Sequence, residues 1–163
     1  MMFTDPNTVT KESKWQSEAS NLLCCDNLTD DYYEKFHTEW TVSGHRIREQ
    51  IGNDLFLIKL LRHVLPSYEG ASQHLYRGEN IERWNAKSIG LCWSSAEETA
   101  AMFGRGLNST PTGGVLLKCN CKPEWIIAGP SKHSRYLGEE EYTIDTGLIK
   151  NVVVLKQYKE IWS

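Results

Sequence analysis

No apolar run in this chain reaches the roughly 18 residues that a membrane-spanning helix requires. The first twenty residues, MMFTDPNTVTKESKWQSEAS, contain no apolar h-region, so they do not read as a secretory signal. There is no excess of positive charge. Eighteen Lys and Arg stand against 21 Asp and Glu, a net charge of −3, so there is no global pull toward nucleic acid or an anionic membrane. C-x-x-C and H-x-x-x-H pairs are absent, and the Cys119-x-Cys121 pair with Cys24 and Cys25 reads as small packing residues rather than a metal site. An odd count of five cysteines excludes a complete disulfide framework and fits free thiols in a reducing cytoplasm. Glycine-rich phosphate loops, H-E-x-x-H, G-x-S-x-G and internal repeats are also missing, which removes the commonest nucleotide-binding, zinc-protease and serine-hydrolase readings.

What remains is an ordinary globular composition, 40% apolar and 24% charged, with six tryptophans and seven tyrosines that argue for an ordered core. The 163 residues suit one domain. Residues 1–27 are polar and irregular and read as a poorly structured arm. Residues 28–70 read as helical. Thr29 or Asp30 caps a first helix carrying Tyr33, Phe36, His37 and Trp40, and VSGH breaks it. RIREQIGNDLFLIKLLRHVLP follows as a second helix with an Ile47, Ile51, Leu55, Ile58, Leu61, Leu65 stripe that Pro66 ends.

Residues 71–163 have a different texture. QHLYRGE, IGLCWSS, VLLKCNC, EWIIAG, EEYTID and NVVVLKQYKEIW have strand character. AEETAAMFG is a short helix with Ser95 as candidate cap, and GRGLNSTPTGG and GPSKHSRYLG are loops. Helices first and short strands after give an α+β domain with a mixed, mainly antiparallel β core.

Three polar features interrupt the strands: Arg77-Gly78 after Tyr76, Ser94-Ser95 after Trp93, and the run Glu139-Glu140-Glu141 before Tyr142. Singly they read as a surface cation, a helix cap and a solvated strand edge. In this order, with a short Ala-rich helix after the serines, LYRGE, CWSSAEETAAMFG and GEEEYTID resemble the arginine–serine–glutamate signature of the mono-ADP-ribosyltransferases. The likeness is greatest to small bacterial and phage-type members, and it covers residues 74–160.

The resemblance implies an ADP-ribosyltransferase-type core and cleavage of the nicotinamide–ribose bond of NAD, the co-substrate, with no metal. The oxocarbenium-like transition state needs a carboxylate, and a pyrophosphate suits a guanidinium. It implies Glu141 as the catalytic carboxylate and Glu139, two residues earlier and on the same face of a strand, as the carboxylate that assists the acceptor. Glu140 then points away, although a one-residue register shift would exchange Glu140 and Glu141. Arg77 would hold the NAD phosphate, and Gly78 would let the backbone approach the carboxamide. Ser94 would brace the glutamate, with Ser95 beside it or serving only as the helix cap. Phe103 would stack on nicotinamide or pack the helix, Arg105 would add a cation or be solvated, and Tyr136 would contact the target.

The function so implied is transfer of ADP-ribose to a protein target by a phage or bacterial effector in the cytoplasm, inactivating a host or defence component such as a CRISPR complex. An NAD glycohydrolase toxin and a catalytically inactive binding or inhibitor module on the same fold are the alternatives.

Overall fold

The computed structural model describes residues 3–109 and 112–159. Four helices come first: α1 (Pro6–Lys11), α2 (Trp15–Leu23), α3 (Asp30–Ile51) and α4 (Asp54–Val64). The expected loose arm is therefore corrected. Asp5 caps α1 by accepting from the Asn7 amide, and Pro6 occupies the first turn, where its missing N–H costs nothing. Val9, Trp15, Ala19 and Leu22 are buried in the helical core, and the Trp15 ring meets Phe36 edge-on at 5.5 Å.

Thr29 caps α3 through a bond from the Tyr32 amide. VSGH interrupts the helix as expected: Ser43 leaves helical geometry at φ −127° and ψ 25°, so α3 is two helical segments meeting at a kink. The second segment runs on to Ile51 and stops where Gly52 turns left-handed at φ 69°. Asn53 then caps α4. This interruption resets the apolar stripe expected for a single helix. Leu57, Leu60, Leu61 and Val64 face the core, and Leu55 is 82% exposed.

The second half contains β1 (Gln73–Asn80), α5 (Ile81–Asn85), β2 (Cys92–Ser94), α6 (Glu97–Arg105), β3 (Gly114–Cys121), β4 (Ile126–Ala128), α7 (Lys132–Leu137), β5 (Glu141–Ile144) and β6 (Val153–Tyr158). Among the described residues six strands form one sheet in the order β4-β5-β2-β1-β3-β6. Every described pairing is antiparallel, so the architecture is α+β with the helical part preceding the sheet. The part of the last strand expected over residues 160–162 lies outside the described residues.

The α1–α4 core reaches the sheet at Leu91, Ile127 and Ala128, and the Trp40 indole donates to Thr143 Oγ1 at 2.9 Å, pinning α3 to β5. A second core, including Leu75, Trp93, Leu117 and Ile144, joins the sheet to the connecting segments. Cys119 and Cys121 are buried within it, two residues apart and so on the same face of β3. Helix α6 packs with Leu116 and Tyr76 over β1 and β3. Among the described residues no helix is long and apolar enough to cross a membrane.

The sheet has a seam. Strands β1 and β3 pair over eight residues, whereas β1 and β2 share the single pair Tyr76 and Ser94. Past that point the two halves part, and the seam's margins carry the polar motifs.

Candidate active site at the sheet seam

Arg77, Ser94 and Glu141 are far apart in sequence but stand on three adjacent strands, β1, β2 and β5. Ser94 lies opposite Tyr76 on one side and opposite Glu141 on the other. Residues directly opposed across antiparallel strands share a face, so Tyr76, Ser94 and Glu141 form a row. Arg77, one residue on, alternates to the other face with Leu75 and Glu79. Its guanidinium reaches into the seam, where Nη1 donates to the Cys92 carbonyl at 2.7 Å and Nε donates to the Glu79 carboxylate at 2.7 Å. The expected convergence thus holds for Ser94 and Glu141, while Arg77 approaches from beneath.

The Glu141 carboxyl is pushed up to about 7, first by burial and then by the charge of Glu139, with Arg77 acting in the opposite direction. The half-buried Cys92 thiol is raised first by desolvation and then by the charge of Glu141. At neutral pH such a carboxyl is divided between its two protonation states and can stabilise developing positive charge or take a proton.

The reason for placing Glu139 beside Glu141 differs from strand alternation. The strand starts only at Glu141, and Glu140 adopts a left-handed turn at φ 46°. Glu139 acts on Glu141 by its charge across this turn, while Glu140 is exposed and accepts a hydrogen bond from the Ser95 hydroxyl. Glu141, rather than Glu140, is the partly buried carboxylate of the pair.

Ser94 does brace the glutamate segment, but through the backbone. Its hydroxyl donates to the Glu139 carbonyl at 2.6 Å and accepts from the Ala96 amide at 3.0 Å. Ser95 is not the cap of α6. Ala96, which has no polar side chain, holds that position, and the Ser95 hydroxyl is turned toward Glu140. The expected loop at 129–138 contains α7, capped by Ser131 and closed by the left-handed Gly138.

The supporting residues of α7 carry no signal in the sequence. Ser134, wholly buried, accepts from the Glu141 amide at 2.8 Å, and Ser131 accepts from the Ser134 amide while sharing a 2.9 Å hydrogen bond with Thr41 of α3. Two serines among polar neighbours in a short segment give no periodic signal.

The remaining candidates are less central. A β-carbon on Gly78 would meet the Ala100 carbonyl oxygen at 2.1 Å and the Gly104 nitrogen at 2.2 Å. This glycine is therefore required by the close packing of α6, which corrects its expected role in approaching the carboxamide. The Gly78 carbonyl is also taken, by Asn108 Nδ2 at 2.7 Å. Phe103 is 42% exposed on α6 and is not a core residue. Arg105 is solvated and paired with Glu98 at 2.8 Å. Tyr136 projects from α7 at 86% exposure, available to a partner. Thr110 and Pro111 of the loop after α6 lie outside the described residues.

Two surface grooves, of about 470 and 340 Å3, lie elsewhere. The larger runs between α3, residues 66–69 and α7, and the smaller lies beside Trp84 and Ile149; neither is lined by Arg77, Ser94 or Glu141. Compared with known proteins, the chain matches no family model, no curated protein and no solved structure.

Proposed function

We propose that this protein is an NAD-dependent mono-ADP-ribosyltransferase that modifies a protein. The observation carrying this reading is the placement of Ser94 and the Glu139–Glu141 pair at the sheet seam, with the Arg77 guanidinium entering the same seam from β1.

In the proposed reaction the bond between ribose C1′ and the nicotinamide nitrogen breaks, and nicotinamide leaves with the electron pair. The ionised Glu141 carboxylate stabilises the positive charge that develops on the ribose. The acceptor nucleophile forms the new bond to C1′, and its proton passes to a carboxylate, the role assigned here to Glu139. Arg77 contributes a cation for the pyrophosphate. Ser94 and Ser134 hold the backbone around the two carboxylates.

Glu139 beside Glu141 can take the proton of an acceptor side chain. The exposed Tyr136, on the helix leading into the glutamates, fits a protein partner. The biological setting that accords with this chemistry is a phage or bacterial effector acting on a host or defence protein in the cytoplasm.

The reading is tested with NAD labelled in its adenylate half. Label should move from NAD to protein, and Glu141→Gln should abolish the transfer while remaining folded. Release of nicotinamide without labelled protein would make the chain an NAD glycohydrolase, and failure to bind NAD would leave a non-catalytic module.

A further inference from the structure

Glu79 carries no assigned role, yet it is the most completely buried acidic side chain among the described residues, at 1% exposure. One carboxylate oxygen accepts from Arg77 Nε at 2.7 Å and from the Gly90 amide at 2.8 Å, and the other accepts from the Asn80 amide at 2.9 Å. Burying a carboxylate is unfavourable unless it is paired and hydrogen-bonded, and here both conditions are met. Arg77 and these donors hold the carboxyl below its ordinary range despite the burial.

The other walls of this arrangement constrain the guanidinium as tightly. A β-carbon on Gly90 would fall 2.2 Å from Arg77 Nη2 and 2.3 Å from Cζ, so the guanidinium fills the space that a side chain would need. Nη1 is fixed to the Cys92 carbonyl. A guanidinium has five N–H donors. Two are spent on Glu79 and Cys92, and the others have no partner among the described residues. The Arg77 side chain keeps 19% exposure.

We infer that Glu79 is a positioning residue. With Gly90 and the Cys92 carbonyl it locks the Arg77 guanidinium so that its remaining N–H groups meet the phosphate oxygens of a bound dinucleotide. This inference rests on the NAD reading above and adds the residue that makes the cation a directional rather than a diffuse attraction. The Arg77–Glu79 pair is neutral overall, so its contribution to binding an anion comes from fixed hydrogen-bond geometry instead of net charge.

That distinction gives a test in which the two explanations differ in sign. Glu79→Gln makes the site more positive by one unit. If Glu79 were only a buried counter-charge, NAD, an anion, would bind as well or better. If Glu79 positions Arg77, NAD binds more weakly despite the added positive charge, by about tenfold in Kd. Gly90→Ala is the second variant. It displaces the guanidinium without altering any charge and should weaken NAD binding in the same direction.

Calorimetric titration of NAD into wild type and both variants, each checked for folding by circular dichroism, reads the outcome. Weakened binding in a folded variant supports the inference. Wild-type-like or tighter binding in the folded variants overturns it and leaves the NAD reading standing. No NAD binding by the wild type overturns the NAD reading and the inference with it. Should Glu79→Gln fail to fold, Gly90→Ala alone decides between these results.

Discussion

Replacing Glu141 by glutamine should abolish activity and stabilise the protein, and the second effect can be worked from the structure. Holding this carboxyl at about 7 instead of 4.5 makes its ionisation in the folded chain unfavourable by up to about 3.4 kcal/mol. The side chain is only partly buried, so solvent screening reduces the recoverable amount to about 1–3 kcal/mol. The sign follows from proton counting. Between pH 4.5 and 7 the unfolded chain has released this proton and the folded chain has kept it, so wild-type stability falls as pH rises across that window. Glutamine is neutral in both states and lacks that slope. The variant should therefore match wild type near pH 4 and exceed it by pH 8, with a Tm higher by about 2–12 °C for a chain of this size. Urea unfolding at pH 4, 6 and 8 measures the gap. A variant that is less stable than wild type at pH 8, or a gap independent of pH, would refute the reasoning, because it would mean that the ionised carboxylate supports the fold.

Three further outcomes follow from the same geometry. If the ionised form of Glu141 is the working one, the transfer rate should rise with pH through about 7 and then level, measured with labelled NAD at saturating acceptor. Trp15→Ala removes a wholly buried indole that also donates to Thr10 Oγ1 at 2.9 Å, and should cost about 3–5 kcal/mol in denaturant unfolding; a loss below about 1 kcal/mol would show that residues 6–23 are not integral to the core. Glu140→Gly removes left-handed strain of about 1 kcal/mol and leaves the working carboxylates in place, so activity should stay within about twofold of wild type, and a large loss would move the catalytic assignment toward Glu140.

Much of the sheet was legible because its strands are short apolar runs bounded by polar or glycine-containing turns. The order Arg77, Ser94, Glu141 was legible as a motif, and the fold accounts for it by setting those positions on neighbouring strands. Alternation, correctly applied, also separates Arg77 from Ser94 and Glu141 by face, something the motif alone does not reveal.

What escaped the sequence has identifiable causes. Val9, Trp15, Ala19 and Leu22 are too few and too widely spaced among polar residues to declare two short helices, yet each is buried. Gly52 and Asn53 divide the predicted second helix because a left-handed stop and a new cap outweigh a continuous apolar period. Gly78 sat beside the motif arginine and drew a ligand-facing role, whereas its missing β-carbon serves the close approach of α6. Glu79 was invisible as a partner because its value depends on Gly90, eleven residues away, folding over the same guanidinium.

The most direct test of the central claim is the fate of NAD labelled on the adenylate phosphate, incubated with the purified protein and a bacterial extract. The account predicts protein-bound label with matching nicotinamide release, both absent in Glu141→Gln. Wild-type protein that neither labels a protein nor releases nicotinamide would contradict it.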